Sequence, residues 1–461
     1  MTGVTTVDPA TGERLAGYAH TTPERLEAAL AEAAAAVHRT RGASVGERAE
    51  RLRALADRLR AGADGHAALI TAEMGKPLDQ ARAEIAKCAA VCEHYAARLP
   101  ALLAPRPVAL GRDTGHVRAL PLGTVLAIMP WNYPFWQVFR AMVPAVAIGD
   151  TVLLKHADNV TGGALAVQRV FDEVFGPGTL TAVVLPPERI GPLIDDPRVA
   201  AVAFTGGNRV GAIVAARAGA AVKKTVLELG GSDPFVVLAD ADVPAAARAA
   251  VRSRFLNNGQ SCIAAKRLIV ERAVRDEFVD AFTEAMNALA VGDPSAPGTD
   301  VGPMARVDLR DELRRQLDAT LGEGGRLLAG GARDDRPGAW FPPALVEVPG
   351  PDATAFRQET FGPLGALHAV PSAEAAVEVA GASPYGLSCS VWSRDAERAQ
   401  ALAERIDAGS TFVNRVSESD PRLPVGGVRA SGHGRELGDQ GAYELANLRS
   451  TRIAPHPEET P

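Results

Sequence analysis

The chain has 461 residues, 47% of them apolar and 23% charged, with a formal net charge of −6. Such a length predicts two or three domains, and the balance predicts a globular protein with a sizeable core. Neither a basic block nor an acidic run is present, which excludes an electrostatic footprint for nucleic acid or for an anionic membrane. The opening residues, MTGVTTVDPATGERL, lack a charged-then-apolar leader pattern, and no segment reaches about 18 uninterrupted apolar residues, so no membrane partner is expected. The four cysteines are too few for a disulfide framework, and a reducing cytoplasm is the expected location.

The first hundred residues read as helices. PERLEAALAEAAAAVHRT, VGERAERLRALADRLRAG and PLDQARAEIAKCAAVCEHYAARL each carry apolar residues at helical spacing. In the third, Cys88 and Cys92 share one face near His94, but a second ligand pair is lacking, so core packing and no metal is the expectation. A Pro-rich stretch, LPALLAPRPVALG, ends this pattern, and short β runs follow in HVRALPLGTVLAIM.

From there strands and helices alternate. GTVLAIMP, DTVLLKHA, LTAVVLP and VAAVAFTGG read as strands, and WQVFRAMVPAVAIG, TGGALAVQRVFDEVFG and NRVGAIVAARAG as helices. Near-continuously apolar strands between amphipathic helices predict an α/β fold with a parallel sheet covered on both faces. Such sheets bind ligands at the carboxyl ends of their strands, where a dinucleotide-sized site is expected. A second α/β unit begins near KKTVLELGGSDPFVVLADADV and continues through AAKRLIVERAVRDEFVDAF to STFVNR. Cys389 in GLSCSVW reads as a strand residue, and the tail PHPEETP is expected to fray.

Four stretches are hard to explain by packing alone. In IMPWNYP, Asn132 follows a strand's carboxyl end, and Pro134 bars an early helix start. Its amide suits either an oxyanion donor or a turn. In LLKHAD, Lys155 follows three apolar strand residues at the sheet's rim, where it either reaches a ligand or snorkels to solvent. In LELGGSDP, Glu228 sits between leucines, so its carboxylate is either paired or held in an apolar cleft that raises its pKa and suits a general base. In NNGQSCIAAKR, Cys262 lies in a small polar turn, either as a nucleophile or as a small packed residue.

Taken in this order, with FTGG, QETFGP and PVGGVRASGHGRELG, these stretches resemble the aldehyde dehydrogenase superfamily over nearly the whole chain. LELGGSDPFVV, NNGQSCIAAKR and SDPRLP look most like its short bacterial succinate-semialdehyde dehydrogenases. The resemblance implies a Rossmann-type cofactor domain over residues 1–227, interrupted by a β oligomerisation segment near 104–120. A catalytic α/β domain follows over 228–415, and residues 416–461 return to the cofactor domain and an oligomerisation tail. The edge strands of PVALGRDTGHVRAL and ANLRSTRIA would be covered by a partner subunit, as a homodimer or homotetramer.

The chemistry implied is NAD(P)-dependent oxidation of an aldehyde to a carboxylic acid. Cys262 matches the nucleophile that forms a thiohemiacetal and then a thioester. Asn132 and the Cys262 backbone N–H match the oxyanion donors, and Glu228 the base that activates the hydrolytic water. Lys155 and Glu359 match ribose-holding positions, and Phe361 packs by the nicotinamide. Ile128, Pro130 and Trp131 line the groove, with Val210 and Leu229 completing the set. Gly206 and Gly207 open the helix that faces the pyrophosphate. In the family a carboxylate at the position of Asp158 accepts hydrogen bonds from ribose hydroxyls, whereas a small Ser leaves room for a 2′-phosphate. Asp158 thus implies a preference for NAD, with NADP possible. Read from the residues, it could instead cap the helix near Thr161.

The sequence also departs from the family pattern. Gly207 replaces a usual Ser and leaves backbone donors only, Tyr133 stands for Phe, and His156 stands for a frequent Pro. Succinate semialdehyde carries a distal carboxylate, which needs arginine or several donors. Arg140 matches one arginine of that site, Leu256 stands where Arg or Gln is frequent, and Ser419 and Arg422 offer donors from a loop. The alternatives are a less acidic aldehyde, a CoA-acylating relative (against which Glu228 speaks), and an inactivated scaffold (against which Cys262, Glu228 and Asn132 speak).

Overall fold

Four sheets organise the chain in the computed structural model, which describes residues 3–454. The tail PHPEETP lies outside the described residues. The first large sheet has the spatial order Gly432–His433, Lys224–Glu228, Val199–Thr205, Thr124–Met129, Thr151–His156, Leu180–Ala182. All its pairings are parallel except that of Gly432–His433 with Lys224–Glu228. Its central strands are buried along nearly their whole length, because helices cover both faces and leave no solvated side for polar residues.

The second sheet runs Arg326–Gly330, Ala344–Glu347, Leu364–Val370, Ala265–Glu271, Asp233–Val237, Ser388–Trp392, Ser410–Val413. The chain passes from one sheet to the other at residues 229–232. Lys224–Glu228 belongs to the first sheet, where Glu228 pairs with Thr205, and Asp233–Val237 is the first strand of the second. The second sheet is parallel except where Arg326–Gly330 pairs with Ala344–Glu347, so both are predominantly parallel sheets of the α/β class that strand–helix alternation predicts.

The predicted N-terminal helices form as Pro23–Gly42, Val45–Ala61 and Leu78–Leu103. Ser44 and Glu47 cap the second reciprocally. A further helix, Ala63–Met74, was not evident in the sequence. Its buried set of Ala67, Ile70, Thr71, Glu73 and Met74 mixes polar with apolar residues, so no apolar stripe marks it. Cys88 and Cys92 are fully buried in the core between these helices and the first sheet, and Cys389 is buried in a strand of the second.

The stretches PVALGRDTGHVRAL and ANLRSTRIA meet in a three-stranded antiparallel sheet, Ala446–Ile453, Asp113–Pro121, Arg106–Leu110. Val108, Leu110, Leu448 and Ile453 on its edge strands are exposed. No helix among the described residues is long and apolar enough to cross a membrane.

Candidate active site

A cavity of about 390 Å³ opens beside Cys262, within the size range of small-molecule sites. Beside the cysteine turn, three segments supply much of its wall. One is a face of Leu78–Leu103 carrying Gln80, Ala83, Glu84 and Lys87; another is a face of Trp136–Ile148 carrying Trp136, Gln137 and Arg140; the third is the loop Val416–Ser419. Leu256 also lines it, and Ser419 does so from that loop, whereas Arg422 is exposed and paired with Asp420.

The turn that carries Cys262 is unusually constrained. Asn257 and Asn258 both have φ near 57° and Gly259 follows at 72°, a left-handed run that Asn and Gly tolerate best. Side-chain amides hold it: Asn257 Nδ2 donates to the carbonyls of Asn132 (2.8 Å) and Gln260 (3.0 Å), and Asn258 Nδ2 to those of Gly75 (2.8 Å) and Pro303 (2.7 Å). At Gly259 a Cβ would meet the Gly362 carbonyl at 2.4 Å, so only glycine permits that approach. Asn132, at 3% exposure, donates through Nδ2 to the Gln260 carbonyl at 3.0 Å. Its second amide hydrogen is free to point elsewhere.

Residues that sequence reasoning passed over hold this turn. Arg254 is fully buried and donates to the carbonyls of Gly362 (2.6 Å) and Gly259, tying the cysteine turn to the segment of Glu359 and Phe361. Lys266, also fully buried, donates to the Cys262 carbonyl at 2.6 Å and pairs with Glu359 at 3.0 Å. Two adjacent cations opening the buried strand AKRLIVE were its sequence signal. Burial pushes the half-buried Cys262 thiol up to about 11, against the opposing pull of Arg140 and Lys266.

Glu228 is 2% exposed, and its Oε1 has no hydrogen-bond partner among the described residues. Burial raises its carboxyl well above the ordinary range; the Arg140 guanidinium opposes this and Glu436 reinforces it. Arg140 Nε pairs with Glu436, and another of its nitrogens lies 3.8 Å from Glu228. Glu436 too was passed over, although a carboxylate between arginine and leucine in GRELG was its mark.

At the carboxyl ends of the first sheet's strands, Ile128 pairs with both Lys155 and Phe204. Trp131 and Phe361 meet edge to face at 5.6 Å. Glu359 accepts the Gly231 N–H at 3.1 Å. Leu229 packs against Gly211 in the helix Asn208–Ala220, and Val210 on that helix is exposed. Gly206 and Gly207 lead into it. Gly207 is its N-cap without a side-chain cap, and a Cβ there would meet nothing within 4 Å. Free N–H groups facing open space at a helix N-terminus suit a pyrophosphate. The buried Thr205 hydroxyl just before them also lacks a partner among the described residues. These residues fit a dinucleotide.

Residues 2–451 match the aldehyde dehydrogenase family, and the chain belongs to it. Its activity is NAD(P)-dependent oxidation of an aldehyde. It is 44% identical over 445 residues to succinate semialdehyde dehydrogenase [NAD(P)+] Sad of Escherichia coli, covering 96% of each chain. It is 42% identical to a probable succinate-semialdehyde dehydrogenase [NADP(+)] of Synechocystis, covering 98% of this chain and 100% of that one. The solved succinic semialdehyde dehydrogenase of Streptococcus pyogenes in complex with NADP+ superposes with a TM-score of 0.96 at 32% identity, covering 98% of this chain and 100% of that one.

These relatives overturn the NAD preference drawn from Asp158, since they are named for NADP or for both cofactors. The structure supplies the physical reason. Asp158 Oδ1 accepts from Lys155 Nζ at 2.7 Å, and the aspartate side chain is 49% exposed. A neutralised, solvated carboxylate presents little charge to repel a phosphate. Nor does Asp158 cap the following helix, whose N-cap Val160 has no side-chain hydrogen bond.

Proposed function

We propose that this enzyme oxidises succinate semialdehyde, or a closely similar short aldehyde bearing a distal carboxylate, with NADP accepted as cofactor. The observation that carries the reading is that Cys262 and the cationic side chains Arg140 and Lys87 line one cavity. An aldehyde at the thiol can therefore present an acid group to the far wall. The relatives named above act on the same substrate by name, which supports it.

In this reading the Cys262 thiolate attacks the aldehyde carbon, and its proton leaves to solvent. The oxyanion is met by the Asn132 amide and the Cys262 N–H, donors worth about 3–4 kcal/mol each in comparable sites. Bound NAD(P) supplies the hydride acceptor. Lys155 and Glu359 hold its ribose hydroxyls, while Trp131, Pro130, Ile128 and Phe361 shape its groove. Glu228 takes a proton from the water that cleaves the thioester, and its buried, unpartnered oxygen is suited to that task. The first sheet with its return segment serves the cofactor and the second sheet the chemistry. We further propose a homodimer or a pair of dimers, built on the exposed edges of the three-stranded sheet. The four free thiols suit a reducing cytoplasm.

The test is steady-state oxidation of succinate semialdehyde and of butanal by the parent and by Cys262→Ala. The parent is expected to favour the acid in kcat/KM, and Cys262→Ala to lose turnover on both while still binding NADP. Equal use of both aldehydes by the parent would refute the acid substrate.

A further inference from the structure

The charges on the cavity wall do not balance evenly. Lys76 pairs with Glu84, Asp79 with Arg82, Glu418 with Arg415, and Arg140 with Glu436 while lying near Glu228. Arg252 sits exposed at the mouth. Lys87 is different. Among the described residues no carboxylate reaches ion-pairing distance of it, and its Nζ donates only to the Ser419 hydroxyl, at 2.8 Å. It also stands 4.5 Å over the Trp136 ring.

Helical spacing explains how it arrives there. Gln80, Ala83, Glu84 and Lys87 recur at the intervals that place them on one face of Leu78–Leu103, and that face is the cavity wall. A lysine there could extend to solvent, but this one is half-buried and turned onto a neutral hydroxyl and an aromatic face. Both stabilise an ammonium without neutralising it. Arg140, by contrast, already shares its charge between two buried carboxylates, so its capacity to attract a third is reduced.

We propose that Lys87 is the specificity-determining cation of the site, receiving the distal carboxylate of the substrate, with Ser419 fixing its ammonium. This rests on the acid-aldehyde reading above and refines it by assigning the carboxylate's partner to Lys87, the half-buried cation of the wall that has no carboxylate beside it. The electrostatics agree. Burial and the neighbouring Arg140 press the Lys87 ammonium down to about 8, while Glu418 on the loop and Glu84 and Cys88 on its own helix oppose this. An incoming carboxylate would relieve both penalties and form a charge-assisted hydrogen bond.

The experiment compares Lys87→Met and Lys87→Arg with the parent, using succinate semialdehyde and butanal with NADP. In Lys87→Met the acid-to-neutral ratio of kcat/KM should fall by about 10- to 100-fold, with the loss in KM rather than kcat. Lys87→Arg should restore most of it, which a merely structural lysine would not require. Ser419→Ala should move the ratio in the same direction, and it serves if Lys87→Met does not fold. A Met variant that keeps the parent's ratio, or an Arg variant as poor as Met, overturns the assignment while leaving the acid-aldehyde reading intact. A parent that shows no preference for the acid overturns both.

Discussion

Lys76 and Glu84 form an ion pair in which each side chain is only 1% exposed. Glu84 Oε1 also accepts the backbone N–H groups of Phe135 and Trp136 at 2.9 Å, and the Lys76 ammonium lies 3.8 Å from the Tyr133 ring centre. The pair therefore anchors the segment that directly follows Asn132. Glu84→Gln should leave a buried ammonium uncompensated and destabilise the protein by about 3–5 kcal/mol. In the double variant Lys76→Met/Glu84→Gln much of this should return. Scanning calorimetry of the three proteins checks the order, and a single variant as stable as the parent would contradict it.

Cys262 offers a pH test. With the thiol pushed up to about 11, it stays protonated through neutrality. Alkylation by iodoacetamide in the free enzyme should therefore rise about tenfold per pH unit from pH 7 to 10, because only the thiolate reacts. Lys266→Met removes one of the two cations that favour the thiolate, so its curve should shift to higher pH. Mass spectrometry assigns the label, with buried Cys88, Cys92 and Cys389 as internal controls. A plateau reached near pH 8 would mean that the thiolate is far better stabilised than this site allows.

For Glu228, replacement by Gln keeps the shape and removes the proposed base. The expected outcome is a rapid burst of NADPH, close to one per active site, followed by a steady state slowed by about 10²- to 10⁴-fold. Stopped-flow absorbance resolves the two phases. Equal slowing of both would reassign Glu228 to holding Arg140 in place.

On the cofactor side, Lys155 is tied to Asp158 and to the His156 carbonyl, both at 2.7 Å. If its ammonium turns to a bound 2′-phosphate, Lys155→Ala should lower kcat/KM for NADP about 5- to 50-fold more than for NAD, the range for a partly exposed charge contact. Initial rates with each cofactor at fixed aldehyde decide it, and an equal loss with both would limit Lys155 to the ribose.

Much of this protein was legible in its sequence. Strand and helix alternation is a local property of a few consecutive residues, so the parallel α/β class could be read from stretches such as GTVLAIMP and WQVFRAMVPAVAIG. The family motifs are equally local, and they place Cys262 in a turn of small residues whose left-handed Asn257 and Asn258 are the residue type such turns select. That PVALGRDTGHVRAL and ANLRSTRIA are β strands was legible too, whereas their pairing with each other within the chain came from the tertiary structure.

Which charges are free was decided only by the tertiary structure. Arg140 meets Glu436 across 296 positions of chain, and Lys87 meets Ser419 across 332. Asp158 reads as an anion facing the cofactor until its pairing with Lys155 is seen. A residue's type gives its charge, but its effective charge depends on its neighbours and on how much water remains around it, and here remote segments supply both. Sequence therefore determined the fold class and the types of charged group present, while long-range packing determined which of those groups is neutralised and which stands without a counter-charge.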